Sequence, residues 1–142
     1  MNELLFLHII AVGIWLGVVL AEFVIEFDGM KDDASLIKAS KLHFATDMWI
    51  EVPAFTAVLV TGLLMLDVNA LEGSLFYKVV FGLLAIVFNT ICVVAVVRRR
   101  RFALKGDIPG IRTTDRLMQI GGAGFIPTFL ITIILAVCLV LK

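Results

Sequence analysis

His43, Asp47 and Glu51 recur every fourth residue in KLHFATDMWIEVPAF (41–55), which on a helix stacks one imidazole and two carboxylates along a single stripe. A second stripe stands nearer the N-terminus, where His8, Trp15 and Glu22 are spaced by seven and Glu26 follows one turn later. Ligand heads one helical turn apart come within reach of one cation, and carboxylates with an imidazole form a donor set for a transition metal. Four acids gathered without a counter-ion repel one another, a repulsion that a bound cation or shared protons would relieve. Glu22, Glu26, His43, Asp47 and Glu51 are therefore the candidate metal ligands, with Cys92 and Gln119 as supporting groups at the same level. Hard oxygen donors with one imidazole suit iron, manganese or zinc better than copper(I), which prefers sulfur.

Composition decides what kind of element positions these side chains. Of the 142 residues, 61% are hydrophobic and 17% charged, with a mean hydropathy of +1.09. A soluble domain has roughly 45–50% and about 25%. The chain reads as an integral membrane protein of a bacterial inner membrane, with the lipid bilayer as its first partner. A formal net charge of zero leaves no global basic field, so no nucleic-acid partner is expected. Cys92 and Cys138 both lie in apolar runs, and a structural disulfide is not expected. The first helix lacks a charged leader and a small-residue cleavage site, and is read as part of the mature protein.

Segments 4–27, 44–66, 75–97 and 119–141 are each long enough to cross about 30 Å of hydrocarbon at 1.5 Å per residue. The expected fold is all-α: an antiparallel four-helix membrane bundle forming a single transmembrane domain over 1–142. Segment 28–42 carries Lys31, Lys38 and Lys41, and the connection after the third helix opens with Arg98 to Arg101, whereas DVNALEGS (67–74) has two acids and no base. Basic connections mark the cytoplasmic side, so both termini are expected outside. The arginine run is read as a topology determinant that meets lipid headgroups. Pro53 and Thr56 predict a kink, with a carbonyl freed near Glu51. On the third helix Lys78, Gly82, Ala85, Asn89, Cys92 and Val96 form a seam of small and polar residues facing protein.

Counted from the midpoint of each span, Glu22 and Asp47 lie roughly 12 Å toward the cytoplasmic side, Glu26 and His43 roughly 18 Å, and Glu51 about 6 Å. Antiparallel neighbours bring all five to matching levels. A salt-bridge belt is the rival reading, in which Glu26, His43 and Asp47 meet water, Lys41 or the arginines. Trp15, at mid-depth, reads as core packing. Gly13 and Gly17 form a small-xxx-small pair that serves either a homodimer seam or packing within one protomer.

The opening LHIIAVGIWLG, with His8 and Trp15, resembles the first helix of small four-helix membrane proteins related to HemJ-type protoporphyrinogen oxidase and to the membrane domain of copper-resistance protein CopD. Lys78 in LFYKVVFGLLAIV stands where the HemJ type has a functional lysine near the start of its third helix. The resemblance covers about a quarter of the chain and implies a heme b or copper-associated membrane protein, with His8 and Lys78 close together on the outer side. His8 lies roughly 9 Å to the outer side of its midpoint and His43 about 18 Å to the inner side, so one heme cannot join them. A His8 and Met65 pair is geometrically easier, with Lys78 meeting a propionate.

The reading is a membrane-embedded metal- or heme-binding protein with a redox or metal-handling role and a polar site between the first two spans. A non-catalytic accessory subunit and a proton-coupled small transporter are the alternatives, and whether the chain is an enzyme stays open.

Overall fold

The computed structural model describes residues 3–141, and every regular element among them is helical. Helix α1 spans Glu3–Gly29 and α2 spans Asp33–Thr46. A π-helical turn, Asp47–Glu51, joins α2 to α3, Val52–Leu64, without a break. A 3-10 turn, Val68–Ala70, leads to α4, Gly73–Lys105; the short α5, Ile108–Thr113, precedes α6, Asp115–Val140. Four helical stretches, Glu3–Gly29, Asp33–Leu64, Gly73–Lys105 and Ile108–Leu139, are long and apolar enough to cross a membrane.

The ends of these helices follow from local chemistry. Asp32 caps α2 by accepting from the Ser35 N–H at 2.7 Å, a bond that holds its carboxyl below the usual aspartate range. Gly106, in the left-handed region at φ 67, closes α4, and Asp107 then caps α5 through the Gly110 N–H at 2.9 Å. The segment expected to connect the first two spans is therefore helical from Asp33, and Arg98 to Arg101 lie within α4. Hydropathy marks where lipid-compatible sequence stops; the hydrogen-bonded helix runs on until a capping residue ends it.

The expected kink is a π turn one turn before Pro53. Proline has no N–H to return to the residue four before it, and the Val52 N–H reaches back to Asp47, five residues away. On a regular α-helix each i, i+4 step drifts about 40° around the axis. The wider turn offsets that drift, and His43, Asp47 and Glu51 all stay buried while Trp49 and Ile50 face out.

Contacts at both ends of α1 set its direction. His8 meets Thr61 at 2.8 Å, and Glu26 meets His43 at 2.5 Å, so α1 runs antiparallel to the α2–α3 rod. Helix α6 packs antiparallel on α4, with Cys92 beside Met118 and Gly82 beside Thr132. The α4–α6 approach requires glycine: a Cβ at Gly121 would stand 2.4 Å from the Cys92 Sγ and 3.1 Å from backbone atoms of α4, and one at Gly124 would stand 2.2 Å from the Phe88 ring. At the centre Trp15, 2% exposed, packs against Phe55, Phe125 and Phe129 at ring distances of 5.9, 5.3 and 4.9 Å. Trp15 is thus the core residue that its mid-helix position suggests. Gly13 and Gly17 have nothing within 4 Å of a built Cβ, so their face is open within the protomer.

Candidate metal centre

The acidic cluster sits where α1 crosses the π turn. The two stripes are antiparallel, so Glu22 on α1 meets His43 and Asp47, and Glu26, one turn further along α1, meets the other nitrogen of the His43 ring. The His43 Nδ1 lies 2.5 Å from the Glu26 Oε1, and its Nε2 lies 3.6 Å from the Glu22 Oε2 and 3.3 Å from the Asp47 Oδ1. Glu22, His43 and Asp47 each offer one ligand atom, all within 4.8 Å of one another, and all three residues are buried. The Thr46 hydroxyl holds the other Glu22 oxygen at 3.1 Å.

Two features distinguish Asp47 and His43 within this cluster. Asp47 is 0% exposed, and neither of its carboxylate oxygens has a hydrogen-bond partner. A buried carboxylate left this way costs several kcal/mol unless a proton or cation joins it. The imidazole is also oriented: with Nδ1 donating to Glu26, Nε2 faces Glu22 and Asp47. A carboxylate behind a histidine that faces a cation site is the usual means of fixing the ligating nitrogen.

The five expected ligands therefore divide. Glu22, His43 and Asp47 converge on one point. Glu26 lies on the far side of the imidazole, accepting from His43 and from the Arg99 Nη1 at 2.6 Å. Glu51, 3% exposed, sits a turn away beside Asn89 and Trp15, outside the three-atom set. Cys92 borders the acids but turns its thiol to the Met118 carbonyl, 3.8 Å away. Gln119 is exposed on α6 and supports nothing in the cluster, because α6 presents its glycine face to α4 and turns Gln119 outward. Both cysteines are free.

Arg99 is the site residue that the sequence reading missed. It lies within an arginine run read as facing lipid headgroups, yet it is 3% exposed and enters the bundle to pair with Glu26. The signal was available: the seam through Asn89, Cys92 and Val96 reaches Arg99 at the next i+3 step and Ala103 at the following i+4 step. Its neighbour Arg100 turns outward over the Phe44 ring, 4.1 Å from the centroid. The belt reading is thus satisfied for Glu26, through Arg99, and not for Asp47.

His8, Met65 and Lys78, grouped by sequence as a cofactor site, all line one cavity at the opposite end of the bundle, where Gly62 leaves room for the His8 ring. No known family, curated protein or solved structure matches the chain. The resemblance to the HemJ and CopD families rests on the quoted residues of α1 and α4 alone.

Proposed function

We propose that the protein is an integral membrane four-helix bundle that binds a divalent transition metal between α1 and the π turn, in a metal-handling or redox role. The observation that carries this reading is Asp47, a fully buried carboxylate with neither oxygen hydrogen-bonded, 3.3 Å from a histidine nitrogen and grouped with Glu22. Two carboxylates and one imidazole suit iron, manganese or zinc. Three protein donors leave room for a further ligand, as a metal that is passed on or reacts requires.

In this reading each residue has a distinct task. Glu22, His43 and Asp47 bind the ion. Glu26 keeps the His43 Nε2 facing it, and Arg99 balances the charge of Glu26. The outer surface, with Leu20, Phe23, Val24 and Phe27 all more than half exposed, suits acyl chains rather than water. Lys31, Lys38 and Arg98 to Arg101 gather at one end of the helices, which supports a cytoplasmic position for that end, with both termini outside. The open Gly13 and Gly17 face is the seam on which two protomers would meet.

Elemental analysis of detergent-purified protein tests the metal. We expect close to one transition-metal ion per chain in the wild type and little in Asp47→Asn or His43→Gln. Wild-type protein that remains metal-free after incubation with iron, manganese and zinc would leave the cluster as a proton-sharing network in a transporter or accessory subunit.

A further inference from the structure

The cavity at the other end of the bundle has its own chemistry. His8 and Glu22 are fourteen residues apart on α1, so at 1.5 Å per residue the two sites are separated by roughly 20 Å. The cavity, open along one side, offers about 580 Å³ between α1, α3, α4 and α6, in the roughly 300–1,000 Å³ range of small-molecule sites. Its walls are mostly aliphatic, with Leu5, Val12, Val58 and Ile133 among them, and Trp15 forms part of the lining toward the core.

Several polar groups in and beside it are already engaged. The Thr61 hydroxyl donates to the Ala57 carbonyl at 2.6 Å, and so accepts from the His8 Nδ1 at 2.8 Å. Thr132 donates to the Thr128 carbonyl at 2.8 Å, and Asp67 accepts from the Asn69 N–H at 3.0 Å. Lys78 is different. It is half-buried at the cavity wall and has no hydrogen-bond or ion-pair partner among the described residues. An ammonium drawn into an apolar wall without a counter-charge is costly, and an anion beside it removes most of that cost.

We propose that this cavity binds a single-chain amphipath with a carboxylate head, the carboxylate pairing with Lys78 and the chain running along the aliphatic walls toward Trp15. Charge complementarity selects the head, since Lys78 is the unpaired cation of the lining and Asp67 is held at the rim by its own turn. Size suits one chain: at about 30 Å³ per heavy atom the space holds on the order of 20 such atoms, the size of a single long-chain acid.

Trp15 makes the occupant visible. Of the two tryptophans, Trp49 is 82% exposed and Trp15 is 2% exposed, so a Trp49→Phe protein reports on the cavity lining alone. In that protein a dibrominated long-chain fatty acid should quench fluorescence saturably. Its methyl ester should bind at least about tenfold more weakly, as should the free acid to Lys78→Gln, with Lys78→Arg restoring binding through a charge-assisted contact. Equal quenching by acid and ester, or quenching that never saturates, overturns the proposal. So does Lys78-dependent, saturable quenching by a dibrominated anionic phospholipid, or a porphyrin absorption band in the purified protein. The acid and ester arms use the same folded protein, so the comparison holds even where a Lys78 variant fails to fold.

Discussion

The His43 Nδ1 and the Glu26 Oε1 are 2.5 Å apart, and that contact turns the opposite nitrogen of the ring toward Glu22 and Asp47. In the proposed metal site Glu26 would act through His43 rather than on the ion itself. Replacing such a supporting carboxylate typically lowers metal affinity by about 10–100-fold. Glu26→Gln, which can still accept a hydrogen bond but has lost its charge, should fall at the low end of that range, and Glu26→Ala at the high end. Competition titration with a chromogenic chelator measures both. Affinity lost as completely as in Asp47→Asn would make Glu26 a ligand instead.

Arg99 contributes stability of a different kind. Its guanidinium is 3% exposed, meets Glu26 at 2.6 Å and touches the Met118 sulfur at 3.4 Å. Removing one member of a buried ion pair strands the other, at a cost of about 3–5 kcal/mol. Glu26 retains some exposure and a second partner in His43, so Arg99→Ala should lie toward the lower figure. Equilibrium unfolding in mixed micelles should also show that Arg99→Ala combined with Glu26→Ala costs less than the two single changes added together. Strict additivity would mean that the pair is not coupled.

In the proposed site protons and metal would compete for Glu22, His43 and Asp47, because a ligating carboxylate or imidazole must be deprotonated. The sign is fixed: occupancy is high where these groups have lost their protons and falls as pH is lowered. The stabilisation that a bound ion would contribute, about 2.7 kcal/mol at a hundredfold excess over its Kd, should follow the same course. Dialysis at about pH 8 and about pH 5, followed by elemental analysis and a thermal melt, should show the metal and the extra stability leaving together. A melt that shifts with pH by the same amount in metal-free protein would separate acid destabilisation from metal release.

Hydropathy alone located the four long helices, because about twenty consecutive apolar residues have few alternatives. It could not locate their ends. Asp32 and Gly106 end or begin helices through hydrogen bonding and a left-handed turn, features that a hydropathy profile does not register. The i, i+4 pattern of the second span identified His43, Asp47 and Glu51, and Pro53 gave the place of the distortion. Which acids share one point depends on the phase between α1 and the π turn, a tertiary quantity. That phase joins Glu22 to His43 and Asp47, moves Glu26 behind the ring and leaves Glu51 beside Asn89. Arg99 was hidden for a related reason: four consecutive arginines point in four directions on a helix, and only the seam of α4 selects the one that turns inward.

A single added methyl has opposite consequences at Gly121 and at Gly13. A Cβ at Gly121 would stand 2.4 Å from the Cys92 Sγ and 3.1 Å from α4 backbone, while one at Gly13 would meet nothing within 4 Å. Gly121→Ala must push α6 away from α4, since backbone cannot yield as a side chain can, and overpacking of this kind costs about 1–3 kcal/mol. Gly13→Ala has no such clash, and by restricting the unfolded chain it should stabilise an isolated protomer by up to about 1 kcal/mol. Unfolding midpoints of the two variants at low protein-to-detergent ratio should therefore move in opposite directions. The same Gly13→Ala protein also tests the homodimer seam, because helices that meet on Gly13 and Gly17 would be held apart by the added methyl. Analytical ultracentrifugation should show weakened self-association in Gly13→Ala and none of that weakening in Gly121→Ala; a dimer unaffected by Gly13→Ala would place the protomer contact on another face.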